Sequence, residues 1–187
     1  MRVIAGTYRS RPLRALSGMD VRPTSDKLRE TLFNVLVSAS GSLEDTVWLD
    51  VFAGTGAVGI EALSRGARQV YFIESSKKAA AAIRGNLESL GIEEGFQIIE
   101  REAAQGLRLL DAQAVRSDVC FLDPPYRMAG AYEQTLGFLS QSRLLRPESV
   151  VVAEHDKRFD PGARVGSLLR FRKLEQGDAA LSFYRPA

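Results

Sequence analysis

The spacing of apolar and polar positions along this 187-residue chain changes period several times, and each change marks an expected element. Leu28, Leu32, Val35 and Leu36 recur at helical spacing until Gly41. Thr24 or Ser25, just after Pro23, supplies an N-cap, and Asp26 suits the positive end of the helix dipole. From residue 46 onward, β-rich runs near 46–51, 69–73, 96–100, 118–122 and 149–154 alternate with helical segments near 57–65, 76–90, 103–111 and 131–142. That alternation predicts right-handed βαβ crossovers and a parallel sheet covered on both faces. The tail breaks the rule: strand-like residues 167–174 and 179–184 flank the turn-forming Gln176-Gly177-Asp178, which predicts a closing antiparallel hairpin. Residues 3–16 alternate loosely around Gly6 and Pro12 and read as a short N-terminal hairpin or arm. The expectation is an α/β fold with a mainly parallel, seven-stranded sheet and a small N-terminal extension.

Composition narrows the class. The length suits one domain, expected here as an arm over residues 1–22 and a main domain over 23–187. The longest apolar stretches are strand-sized, short of the ~20 residues a membrane helix needs, and no secretory h-region opens the chain, so a soluble, cytoplasmic protein is expected, acting as a monomer. A lone cysteine, Cys120, excludes an internal disulfide or a multi-cysteine zinc site and reads as a buried strand thiol. His155 is the single histidine, expected to be solvated after the fifth strand, and no metal constellation surrounds it. The net charge of +2 hides an asymmetry. Residues 1–22 hold Arg2, Arg9, Arg11, Arg14 and Arg22 against Asp20, five minus one, or +4. Guanidinium forks bind phosphate at two points and a ring such as Tyr8 stacks on bases, so this segment suits nucleic acid, although a solvated basic surface has the same composition.

Two loops carry candidate chemistry. The first strand, Val47-Trp48-Leu49-Asp50-Val51, runs into Phe52-Ala53-Gly54-Thr55-Gly56-Ala57-Val58-Gly59 and then a helix. Glycines let backbone approach a ligand over the carboxyl end of a strand, beside a helix N-terminus. Twenty residues after Gly54, the second strand ends on Glu74, followed by Ser75, and a carboxylate there can accept hydrogen bonds from both hydroxyls of a ribose. The loop also matches the dinucleotide fingerprint and cannot choose a cofactor by itself. Asp50, acidic where dinucleotide sites are apolar, and the lack of hydride-transfer machinery favour S-adenosylmethionine, with Asp50 orienting either the loop or the cationic methionine end.

The fourth strand delivers Asp123-Pro124-Pro125-Tyr126 to the same edge. An exocyclic base amine is a poor nucleophile because its lone pair is delocalised into the ring. The Asp123 carboxylate and the Pro124 carbonyl can accept its two N–H bonds and hold the nitrogen closer to tetrahedral, lone pair outward. Two prolines restrict the backbone, so these acceptors are positioned in advance, and Tyr126 offers a ring for stacking. Asp123 can also receive the proton that the methylated amine releases.

With these segments in view the chain resembles the RsmD family of 16S ribosomal RNA guanine-N2 methyltransferases, over nearly its whole length. The resemblance is carried by Arg22-Pro23-Thr24-Ser25-Asp26 with Arg29-Glu30-Thr31-Leu32-Phe33-Asn34, by Asp50 through Ala67, and by Asp123-Pro124-Pro125-Tyr126. It implies a Rossmann-like class I methyltransferase fold and S-adenosylmethionine as cofactor, with Thr24 over its methionine end. Further cofactor contacts fall to Asp50, Phe52, Ala53, Gly54, Gly56, Glu74, Ser75 and Asp123, while Glu102-Ala103 meets the adenine. Glu102 stands where the family more often has Asp or Asn, Ser10 replaces a usual glycine, and Gln176-Gly177-Asp178-Ala179 departs from Tyr-Gly-Asp-Thr. The substrate implied is guanine 966 of 16S rRNA in the small ribosomal subunit, gripped by Tyr8, Arg9, Arg11, Arg22, Pro125 and Tyr126. A DNA adenine-N6 or cytosine-N4 methyltransferase is the rival reading, and it lacks a sequence-reading region among the 61 residues after Tyr126. A protein-amide methyltransferase would resemble an Asn-Pro-Pro-Tyr loop, and a non-catalytic RNA-binding module would leave both loops unexplained.

Overall fold

The computed structural model of the protein describes residues 1–16, 25–125 and 129–187. Helix α1 spans Asp26–Ser40 and begins where Ser25 caps it: the Ser25 hydroxyl accepts the Leu28 N–H at 3.1 Å. The alternation then runs β1 (Val47–Val51), α2 (Ala57–Ser64), β2 (Gln69–Ile73), α3 (Lys77–Leu90), β3 (Phe96–Ile99), α4 (Ala103–Ala112), β4 (Ser117–Leu122), α5 (Ala129–Leu139) and β5 (Leu145–Asp156). Strands β6 (Arg164–Val165), β7 (Leu168–Gln176) and β8 (Ala179–Pro186) complete one sheet in the order β3-β2-β1-β4-β5-β8-β7-β6. Strands β1 to β5 pair in parallel and the last three antiparallel, as the period changes required.

Among the described residues the sheet has eight strands where seven were expected. The extra one, β6, pairs only Arg164 with Leu169 and Val165 with Leu168 across a turn at Gly166 and Ser167. Two residues are too few to leave an alternation signal. A second departure concerns His155, expected to be solvated. Strand β5 continues to Asp156, and His155 is fully buried against Tyr132 and Phe159. Its Nδ1 lies 2.8 Å from the Asp156 carbonyl, which can only accept, so Nδ1 carries the proton and Nε2 accepts from the Ser182 hydroxyl at 2.9 Å. Burial lowers its pKa, so the ring is a neutral core element. Cys120 is buried in β4 as expected, and burial pushes its thiol pKa up.

Two cores sandwich the sheet. One gathers α1, α2, α3 and the N-terminal arm over Trp48, Val70, Phe72, Phe121, Val152 and Phe183. The other gathers α4 and α5 over Leu49, Val51, Ile73, Leu122 and Val151. Residues alternate between the two faces along each strand, so Trp48 with Asp50, Phe121 with Asp123, and Val152 with Glu154 share the α1 face. Trp48 stacks on Phe33 at 5.3 Å and neither is exposed; truncating either to alanine would cost about 3–5 kcal/mol. The order places β1 beside β4, with the chain leaving β1 toward one side and later returning on the other. That switch point is where open α/β sheets bind ligands.

Candidate active site

The strand ends assemble the site. Val51 pairs with Ile73 on one side and Leu122 on the other, so Phe52, Glu74 and Asp123 emerge from adjacent strands at one edge. Main-chain bonds lock the exits: the Ala53 N–H donates to the Ile73 carbonyl at 3.1 Å, Asp123 to Val51 at 3.3 Å, and Glu74 to Ile99 at 3.1 Å. The loop after β1 turns sharply. Phe52, Gly54 and Gly56 all have left-handed φ, at 60°, 56° and 76°. Gly56 opens α2, and a side-chain carbon added there would come within 3.2 Å of Ile83. At Gly54 an added carbon would meet nothing within 4 Å, so the loop backbone there faces open space. Such a surface fits a ligand lying on the peptide.

Glu74 frames that space. Its carboxylate accepts the Gly54 N–H at 2.8 Å through one oxygen and the Ser76 N–H at 2.8 Å through the other. A carboxylate has about four acceptor positions, so two remain for ribose hydroxyls. Asp50 is buried beneath the loop and accepts the Gly59 N–H of α2 at 2.9 Å, which fixes the helix to the strand that precedes it. Of the two roles expected for Asp50, this contact supplies the loop-orienting one. Burial, together with nearby Glu74, pushes its pKa up to about 8 against the lowering effect of the Gly59 N–H. Ser75 is exposed just beyond Glu74, and Glu102 is exposed at the N-cap of α4, making no capping bond, with Ala103 half-buried behind it.

Asp123 is partly buried, Pro124 buried and Pro125 exposed. Burial raises the Asp123 pKa well above the ordinary carboxylate range, with Glu154 and then Asp50 adding to the shift. The register explains those neighbours: Asp50 within β1, Asp123 just past β4 and Glu154 within β5 lie on one face of three adjacent strands. The Tyr132 hydroxyl donates to the Glu154 carbonyl at 2.8 Å and lies 3.5 Å from the Pro124 carbonyl, so α5 braces the loop from the other face. Tyr126, Thr24 and Arg22 lie outside the described residues.

The arm forms the hairpin expected of it, with an antiparallel bridge between Arg2 and Pro12 and Val3 and Leu13 buried in the α1-side core. Arg9 is exposed, Arg11 is exposed while bonding the Ser89 carbonyl at 2.8 Å, and Tyr8 is half-buried against the core. Four buried polar residues that sequence reasoning missed hold the arm down. Glu61 accepts the N–H groups of Ile4 at 2.8 Å and Ala5 at 3.0 Å, and also bonds Arg65 at 2.8 Å. Ser64 takes the Tyr8 N–H at 3.0 Å and donates to the Ala5 carbonyl at 2.6 Å. Arg29 donates to the Arg2 carbonyl at 2.5 Å and to Asp26 at 2.9 Å. Asn86 bonds both main-chain groups of Arg14. A signal existed for two of them: Arg29 and Asn86 fall on the apolar stripes of α1 and α3, where a polar residue needs a buried partner.

A glycine loop and an acidic Asp-Pro-Pro loop on neighbouring strand ends, in a parallel sheet closed by an antiparallel hairpin, define the Rossmann-like class I methyltransferase architecture. Within that class the chain belongs to the RsmD family: its residues 1–185 match the family model described as Conserved hypothetical protein 95. It is 37% identical to ribosomal RNA small subunit methyltransferase D of Haemophilus influenzae over 84% of this chain and 79% of that one. It is 33% identical to the protein of the same name in Escherichia coli K12, over 83% and 75%. Among solved structures, a hypothetical protein of Thermus thermophilus superposes with a TM-score of 0.82 at 26% identity, covering 99% of each chain.

Proposed function

We propose that this protein transfers a methyl group from S-adenosylmethionine to the exocyclic N2 of a guanine in 16S rRNA of the small ribosomal subunit, guanine 966 by family resemblance. The observation that carries the reading is the adjacency of the two loops: the Gly54 peptide and the Glu74 carboxylate bound an open space beside the Asp123-Pro124 acceptors. The relatives named as small subunit rRNA methyltransferases support an rRNA substrate.

Gly54 and Gly56 would lie under the cofactor, Glu74 would hold its ribose, and Ala103 would flank its adenine. When bound, S-adenosylmethionine supplies an electrophilic methyl on a sulfonium. Asp123 and the Pro124 carbonyl accept the two amine N–H bonds and turn the nitrogen lone pair toward that methyl. The two prolines restrict the backbone that carries these acceptors before substrate arrives, so little reorganisation is left for the reaction itself. Once methylated, the nitrogen is strongly acidic and releases its proton readily to the Asp123 carboxylate. Arg9, Arg11 and Tyr8 would grip the RNA around a base that is single-stranded or turned out of its stack.

Replacing Asp123 by alanine tests the assignment. The expected result is a fall in kcat of about 10²–10⁴-fold, with affinity for S-adenosylhomocysteine, read by calorimetry, kept within about threefold. Wild-type turnover in the variant would remove Asp123 from the mechanism.

A further inference from the structure

Asn86 sits fully buried on α3, in the stripe that carries Ile83, Leu87 and Leu90. Its carboxamide reaches two segments that are far apart in sequence. The side-chain oxygen accepts the Arg14 N–H at 2.8 Å, and the nitrogen donates to the Arg14 carbonyl at 3.3 Å and to the Thr55 carbonyl at 3.0 Å. Arg14 lies near the end of the described part of the N-terminal arm, and Thr55 lies between the two left-handed glycines of the loop. A peptide flanked by glycine has little side-chain constraint on its plane, so two bonds set where the Thr55 carbonyl points: the Asn86 donor, and the Gly56 N–H of the same peptide, which donates to the Ala53 carbonyl at 2.7 Å. The arm is held a second time by Glu61 and Ser64, both on α2, the helix that the same loop opens. Gly6 is pressed so closely on the Ser64 carbonyl that an added carbon would lie 1.8 Å from it. The loop and the arm are therefore gripped through the same two helices, and the Asn86 side chain bonds directly to both.

We propose that Asn86 is a positioning residue that couples the cofactor loop to the RNA-gripping arm, so that cofactor and RNA each strengthen binding of the other. The proposal rests on the functional reading above. A cofactor lying on Gly54 selects one arrangement of the Gly54-Thr55-Gly56 peptides. That arrangement keeps the Thr55 carbonyl on Asn86, and the same amide then holds Arg14 and the end of the arm. The coupling must be reciprocal, because linkage gives the two ligands one shared coupling free energy.

The test measures binding of small ribosomal subunits that lack the modification, with and without saturating S-adenosylhomocysteine, and the reverse titration. For the wild type, each ligand is expected to tighten the other by about fivefold or more. In N86A both factors fall to near one while each ligand alone still binds. Hydrogen exchange on the unmutated protein gives a second reading independent of how the variant folds: S-adenosylhomocysteine should slow exchange at the arm amides that α2 and α3 hold, Ile4, Ala5, Tyr8 and Arg14. A coupling factor of one in the wild type, an undiminished factor in N86A, or arm amides indifferent to the cofactor product would each overturn the proposal. A protein that methylates these subunits without coupling loses only the role of Asn86. One that neither binds nor methylates them loses the functional reading too.

Discussion

Asp50 and Asp123 lie on one face of neighbouring strands, and the protein holds both against the preference of a carboxyl group for water. For Asp50 the consequence can be worked through. Folded, it titrates near about 8, whereas unfolded it titrates at the ordinary ~4. Between those values the native state keeps a proton that the unfolded chain has released. Stability from this group is therefore full below about pH 4 and is lost as pH rises toward about 8, at up to ~1.4 kcal/mol per pH unit. The prediction is that D50N, followed by thermal denaturation between about pH 5 and pH 8, loses less Tm than the wild type across that window. Parallel curves for the two proteins would place the proton elsewhere. The residues that escaped sequence reasoning belong to the same scale. Nothing in the local sequence of His155 shows that β5 runs on to bury it, and Glu61 is a surface-like acid whose partners, Ile4 and Ala5, lie more than fifty positions away.

At the scale of elements, most of the alternation could be read from periodicity because strands such as β1 are buried along their length and helices such as α3 present one apolar stripe. The Ser25 cap, the Gly56 entry to α2 and the turn at Gly177 mark boundaries by turn chemistry that any α/β protein would use. Elements fixed by partners were not legible: β6 exists only because β7 offers it an edge, and β5 lengthens to follow β8. The arm shows the middle case. Ser10 has φ of 67°, a conformation that strains an L side chain by roughly 1–2 kcal/mol. Because the Ser10 N–H closes the hairpin onto the Val3 carbonyl at 2.8 Å, the strain is carried by the arm's own fold. S10G is accordingly expected to stabilise the protein by about 1 kcal/mol in urea denaturation, and an S10G variant less stable than the wild type would contradict the strain.

For the whole molecule, the arm is packed into the fold rather than tethered to it. The arm shares the α1-side core through Val3 and Leu13, and its exposed Arg9 and Arg11 stand on a base fixed to α2 and α3. Under the proposed function, this rigid basic segment would give affinity through phosphate contacts and leave the choice of base to the Asp123-Pro124 loop. Replacing Arg9 and Arg11 together with alanine should weaken subunit binding and reduce the salt slope of log K by about one to two, with S-adenosylhomocysteine binding in the absence of RNA unchanged. An unchanged slope would take the arm out of the RNA interface.

The central claim is that the amine presented to Asp123 and Pro124 is the N2 of a guanine in small-subunit ribosomal RNA. It is tested most directly by supplying methyl-labelled S-adenosylmethionine to small subunits lacking the modification, digesting their RNA and identifying the labelled nucleoside by mass spectrometry. The result predicted is label in N2-methylguanosine at a single position. Label in adenosine or cytidine, or methylation of DNA in place of the subunit, would contradict it.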